Sequence, residues 1–193
     1  MNRETYLNKA TELLKVGTFK RADLVIPHDV KVSCGFPPTG NTRNNNKTLG
    51  VCHNRESSKA KVNEIFISPV ISESLRVLDI LAHELIHAID DCKNGHKKAF
   101  RDMAISIGLE GKSMTSTHAG ERLKQDLSKI INRLGEYPHQ KVSLAANRKK
   151  QGTRMLKVSC NNCEFSYRTS NKNINMMTNK VCNSCGKESL EVV

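Results

Sequence analysis

The stretch Leu81-Ala82-His83-Glu84-Leu85-Ile86-His87-Ala88 carries an H-E-x-x-H pattern at His83, Glu84 and His87. On a helix, residues four apart share a face, so both imidazoles point the same way. Two rings so placed can bind one zinc ion, which takes neutral imidazole nitrogen at about 2.0–2.1 Å. Glu84 is one residue on, turned by about 100°. There its carboxylate reaches a water at the metal as general base without joining the ligand set. Outward from this core, Leu75, Leu78, Ala82, Leu85 and Ile89 recur at three- and four-residue steps and form one apolar stripe. Burying two histidines and a glutamate on such a helix is costly unless something pairs with them, and a metal ion does so.

A catalytic zinc takes three protein ligands and leaves one position open. No Gly and third His follow closely in the metzincin pattern. His96, nine positions after His87, is the expected third ligand. Asn94-Gly95 is a turn signal that ends the first helix and folds His96 back. A second helix starts near His96 and runs through Ala99, Phe100, Met103, Ala104 and Ile107. Asp90 and Asp91, three and four residues past His87, are rival ligands or acceptors for the far N–H of a ligand ring. His118 is a more distant rival.

The flanks predict an α+β fold: a small sheet packed on a helical, zincin-like core, with a small β zinc ribbon at the C-terminus. Residues 3–16 read as a helix stopped by Gly17. Val30–Cys34 and Leu49–His53 read as strands, as does Val62–Ser68 with Pro69 closing it. Gly, Pro and Asn mark residues 35–47 as a loop. Ser72-Glu73-Ser74 caps the H-E-x-x-H helix. Thr115-Ser116-Thr117-His118 opens a further helix, through Leu123, Leu127, Ile130, Ile131 and Leu134, that Gly135 and Pro138 end. The expected division is a metal-binding domain at 1–140, a basic linker at 141–155 and a ribbon at 156–193.

That ribbon rests on Cys160-x-x-Cys163 and Cys182-x-x-Cys185, separated by 18 residues. The spacing suits a four-thiolate zinc site. Four sulfurs close the coordination shell, so this second zinc is structural. The segment is poor in core residues, and small folds of that kind need a staple. Cys34, Cys52 and Cys92 receive no functional role; Cys92 reads as a small buried side chain.

Composition narrows the partners. The hydrophobic fraction of 37% supports a globular core. No apolar run approaches the roughly 20 residues of a membrane span. The polar start has no signal-peptide core. The expectation is a cytoplasmic protein without a membrane partner, with thiols kept reduced. The formal net charge is +12. Residues 141–193 hold ten Lys/Arg against three Glu, which places +7 there. A polyanion partner, DNA before membrane, is the resulting expectation. Arg148, Lys149, Lys150, Arg154, Lys157 and Arg168 are the candidate contacts.

The two metal patterns, in this order, resemble the SprT-like metalloprotease family. The resemblance runs through Cys34–Pro38, Leu49–His53, Asn63–Pro69, His83–Ala88, Asn94–Phe100, Gly108–Lys112, Tyr137–His139 and Leu156–Cys163. It is closest to the short bacterial and phage members. It implies zinc on His83, His87 and His96, Glu84 as catalytic acid/base, and a zinc ribbon on the four cysteines. Where the family often shows Gly-His-Gly, this chain has Gly95-His96-Lys97, one more charge near the metal. The function expected is a zinc endopeptidase cleaving DNA-bound or DNA-crosslinked proteins. A nucleic-acid-binding ribbon protein with an idle protease site and a DNA-independent metallopeptidase are the alternatives.

Overall fold

The computed structural model describes residues 1–36, 48–143 and 155–192, and the chain divides into two compact units, 1–144 and 145–193. The fold is α+β.

In the first unit, α1 (Arg3–Leu14) begins at Asn2, whose side chain accepts the Thr5 N–H. Gly17 does not stop it. The helix continues as a π-helical turn over Lys15–Phe19. The wider turn carries Thr18 and Phe19 inward, and both are buried. Thr18 Oγ1 donates to Asp126 at 3.3 Å, which ties this turn to a later helix. Burial of Phe19 outweighs the mild helix-breaking tendency of a single glycine, about 1 kcal/mol.

The sheet has three strands in the order β1 (Lys31–Cys34), β3 (Glu64–Ile67), β2 (Gly50–His53). β1 runs parallel to β3 and β2 antiparallel to it. Val32, Ile65 and Ile67 send their side chains to the core. Helix α2 (Ser74–Ile89) starts at Glu73, whose carboxylate accepts the N–H groups of Leu75 and Arg76. Twelve of its sixteen residues are buried. A helix buried nearly all round is a central one, and α2 packs against the sheet, α1 and the two helices that follow.

Helix α2 ends at Ile89, five residues before the Asn94-Gly95 turn that was expected to end it. Asp91 and Cys92 adopt φ of +56° and +61°. This conformation costs a non-glycine residue about 1–2 kcal/mol. It is held by Asp91 Oδ1, which accepts from the Arg55 N–H at 2.8 Å and from Asn63 Nδ2 at 3.0 Å. The Cys92 N–H also returns to the His87 carbonyl at 2.8 Å. Gly95, at φ +50°, makes the next turn, where a side chain would be strained.

Helix α3 (Lys98–Ile107) leads into a two-stranded hairpin, β4 (Leu109–Ser113) and β5 (Ser116–Ala119). Residues 115–118 therefore lie in the hairpin, and the helix expected to open there, α4, spans Glu121–Leu134. Pairing of Leu109 with Ala119 and of Glu110 with His118 claims this segment for the sheet. Its Thr-Ser-Thr content suits strands as well as helix caps. After α4, the Tyr137 N–H donates to Ser74 Oγ at 2.8 Å and returns the chain to the start of α2.

In the second unit, β6 (Leu156–Cys160) sits between β7 (Ser166–Thr169) and β8 (Leu190–Val192), with a short α5 (Asn171–Asn175). Among its described residues the buried apolar ones are Val158, Cys160, Cys182 and Leu190. Among the described residues no helix is long and apolar enough to cross a membrane.

Candidate functional site

Helix α2 delivers His83 and His87 from adjacent turns, and the Gly95 turn delivers His96 opposite them. His96 Nε2 lies 3.1 Å from His83 Nε2 and 3.2 Å from His87 Nε2. Three basic nitrogens face one point. Two zinc ligands at about 2.0–2.1 Å in tetrahedral array stand about 3.3 Å apart, so the donor set fits such an ion. All three rings are held neutral. Burial pushes His83 down to about 3, helped by the neighbouring His87, His96 and Arg76 charges. Burial pushes His87 down to about 4, helped by His96. Burial also lowers His96. Neutral imidazole is the form that binds metal.

Phe100, fully buried on the first turn of α3, is the floor of the site. Its ring centroid lies 4.4 Å from that of His87, in a stack, 4.8 Å from His83 and 5.0 Å from His96. In the sequence Phe100 reads only as one apolar residue of a helix.

Thr117 was also missed. His83 Nδ1 and Thr117 Oγ1 are 2.8 Å apart, and Thr117 is buried. An Nδ1–H donated to that hydroxyl leaves the His83 Nε2 lone pair free for a metal. The Thr117 carbonyl accepts from Arg76, which also pairs with the buried Asp79. The hairpin is thereby bonded to α2 at Arg76, about two turns before His83. Nothing local marks Thr117, since it acts from 34 residues away. Thr117→Val keeps the shape and removes the acceptor. It should weaken zinc affinity about 10- to 100-fold, read by competition with a chromophoric chelator. Unchanged affinity would show that the ring needs no such partner.

The rival ligands go elsewhere. Asp91 serves the turn described above. Asp90 Oδ2 accepts the Asn94 N–H at 3.1 Å. His118 is exposed on β5. Cys92 is half-buried, and its thiol donates to the Cys52 carbonyl at 3.4 Å, which links the turn to β2.

Glu84 is 6% exposed and lines the cleft beside the three histidines. Burial pushes its carboxyl up to about 8, opposed by the backbone N–H of Cys52. Strand β2 presses directly on it. A Cβ added at Gly50 would lie 2.7 Å from Glu84 Oε1, 2.8 Å from Glu84 Cγ and 2.6 Å from Ile80 Cγ2. Glycine at 50 therefore lets the strand pass close over the carboxylate and define its position. The cleft, about 420 Å³, is walled by β2 on one side and Thr115–Thr117 on the other.

The second unit gathers its four cysteines. Cys160 and Cys185 sulfurs are 3.7 Å apart, as are those of Cys163 and Cys182. All four sulfurs lie within 4.8 Å of one another. Tetrahedral zinc with sulfur at about 2.3 Å spaces its ligands about 3.8 Å, so this group fits too. The hydroxyl of Ser189, 2.9 Å from Cys160 Sγ, draws that thiol down to about 6.

Of the six cations expected to meet a polyanion, Arg148, Lys149, Lys150 and Arg154 lie outside the described residues. Lys157 and Arg168 stand directly opposite each other on β6 and β7, both exposed. Phe165 and Tyr167, 5.9 Å apart, pack on the ribbon core.

Residues 23–119 match the SprT-like family. Comparison with curated proteins and with solved structures found no match. The matched half of the chain contains the three histidines, Glu84, Gly50 and Thr117, whereas the four cysteines lie beyond it. A match of that extent, over the segment that builds this cleft, places the chain in the SprT-like family.

Proposed function

We propose that the chain is a zinc-dependent endopeptidase that cleaves proteins bound or crosslinked to DNA. The observation that carries the peptidase reading is the convergence of three neutral imidazole nitrogens beside the buried carboxyl of Glu84, in an open cleft. His83, His87 and His96 would hold the ion, which when bound polarises a water and the scissile carbonyl. Glu84, held by β2, accepts the proton of the attacking water and passes it to the leaving amine. Thr117 orients His83, and Phe100 keeps the rings in place. Strand β2 is an edge strand of its sheet and lines the cleft, where an extended substrate chain can lie alongside it.

DNA dependence is supported by the charge of the second unit. Lys157 opposite Arg168 is a like-charge pair across two strands, which destabilises a sheet unless an anion lies between them. Phosphate contacts of this type carry little sequence information and weaken with salt. The four cysteines would hold a second, structural zinc. The chain is further proposed to work in the cytoplasm.

The test incubates the full chain, zinc-loaded, with a DNA-binding protein, with and without single-stranded DNA. Cleavage should be several-fold faster with DNA, and the gain should vanish at high salt. Equal cleavage without DNA would leave a DNA-independent metallopeptidase. DNA binding with no cleavage under zinc-replete conditions would leave a nucleic-acid-binding protein with an idle site.

A further inference from the structure

The catalytic cleft does not end at the histidines. A second groove of about 580 Å³ begins at His96 and Thr115, which line both cavities. It runs between α3 and the β4–β5 hairpin. Lys97, Lys98, Arg101 and Lys112 line it, against a single carboxylate, Asp102. Lys98 is paired with that carboxylate at 3.3 Å. Among the described residues, Lys97, Arg101 and Lys112 have no carboxylate within 4.0 Å. Lys97 and Arg101 are four apart and joined through the Arg101 N–H to the Lys97 carbonyl. Like charges at that spacing repel by a few tenths of a kcal/mol on an isolated helix. The start of α3 adds to the field, since no side chain caps its first amides. Three uncompensated cations and an uncapped helix start therefore face one groove, and the groove continues the cleft in which a peptide bond is to be cut.

We propose that this groove is a substrate subsite that binds acidic residues of the polypeptide on one side of the scissile bond. The proposal rests on the endopeptidase reading and names which segments that peptidase would choose. Two observations favour a polypeptide over a nucleic acid. The groove shares walls with the catalytic cleft, so one continuous chain occupies both. Among the described residues no Phe, Tyr or Trp lines it, and single-stranded nucleic acid is gripped by stacking on such rings as well as by charge. The chemistry also agrees with a DNA-bound substrate. A protein on DNA engages its basic surface with phosphate and leaves its acidic segments accessible.

The test is a peptide library cleaved by the zinc-loaded full chain, with fragment ends read by mass spectrometry. Glu and Asp should be enriched about tenfold over Gln and Asn at positions on one side of the cut only, the sum of several exposed ion pairs. The enrichment should fall with added salt. In the double variant Arg101→Glu, Lys112→Glu, both positions being exposed, the acidic-to-neutral ratio should drop to one or below. Cleavage with no acidic preference, or a preference unchanged in the double variant, overturns the subsite and leaves the endopeptidase reading standing. If no peptide is cut, that reading fails instead. The groove is then decided by binding of a fluorescein-labelled hexaglutamate peptide, which should be lost in the double variant. A labelled single-stranded oligonucleotide that loses affinity in the double variant while hexaglutamate never binds would assign the groove to nucleic acid and overturn the proposal.

Discussion

Glu84→Gln should keep the metal and abolish cleavage. The substitution preserves size and one hydrogen-bond acceptor, but an amide does not take a proton from water at neutral pH. General acid–base catalysis contributes about 10²- to 10⁴-fold, and the peptidase rate should fall by that factor. Stability should hardly change. Burial already favours the uncharged carboxyl in the metal-free protein, and the amide is its neutral counterpart. A melting temperature within about 3 °C of the parent is expected for this chain length. Zinc content by elemental analysis should match the parent, since His83, His87 and His96 are untouched. Undiminished cleavage in the variant would remove Glu84 from the mechanism.

Removing metal from the four cysteines should unfold the second unit and spare the first. Of the four buried residues in its core, Cys160 and Cys182 are themselves proposed ligands, which leaves Val158 and Leu190 as the buried hydrocarbon. Two such side chains contribute about 3–6 kcal/mol. Structural zinc supplies about 10–16 kcal/mol in comparable small domains. The first unit, with Tyr6, Phe19 and Phe100 fully buried among many aliphatic residues, has a core of its own. A strong chelator, or Cys182→Ser, should therefore collapse the amide signals of residues 155–192 in a ¹H–¹⁵N spectrum. Those of 1–143 away from the histidines should persist. Dispersed signals from 155–192 after complete chelation would show that this unit folds without a metal.

Much of the site was readable from spacing because the relevant geometry is helical and local. The four-residue interval between His83 and His87 sets their shared face whatever the rest of the chain does. The 18-residue gap between the two Cys-x-x-Cys pairs likewise leaves room for strands between knuckles. Errors came where long-range contacts competed with local preference. Gly17 is a weak breaker locally, but burial of Phe19 carries the helix past it. Asn94-Gly95 is a strong turn signal, yet α2 stops at Ile89 because Asp91 finds Arg55 and Asn63 from elsewhere. Thr115–His118 has cap-like composition, and pairing with residues 109–113 makes it a hairpin.

By itself, then, the sequence determined the α+β class, the helix that carries His83, Glu84 and His87, and the two groups of residues with metal-ligand chemistry. Those depend on periodicity and spacing, which short-range backbone geometry enforces. Only the tertiary structure decided that His96 rather than Asp90, Asp91 or His118 meets the pair. It also decided that Thr117 holds the far side of His83, that Gly50 presses β2 onto Glu84, and that a cationic groove continues the cleft. Each of these joins residues from separate elements, and packing of the whole core, not any local preference, sets the distance between them.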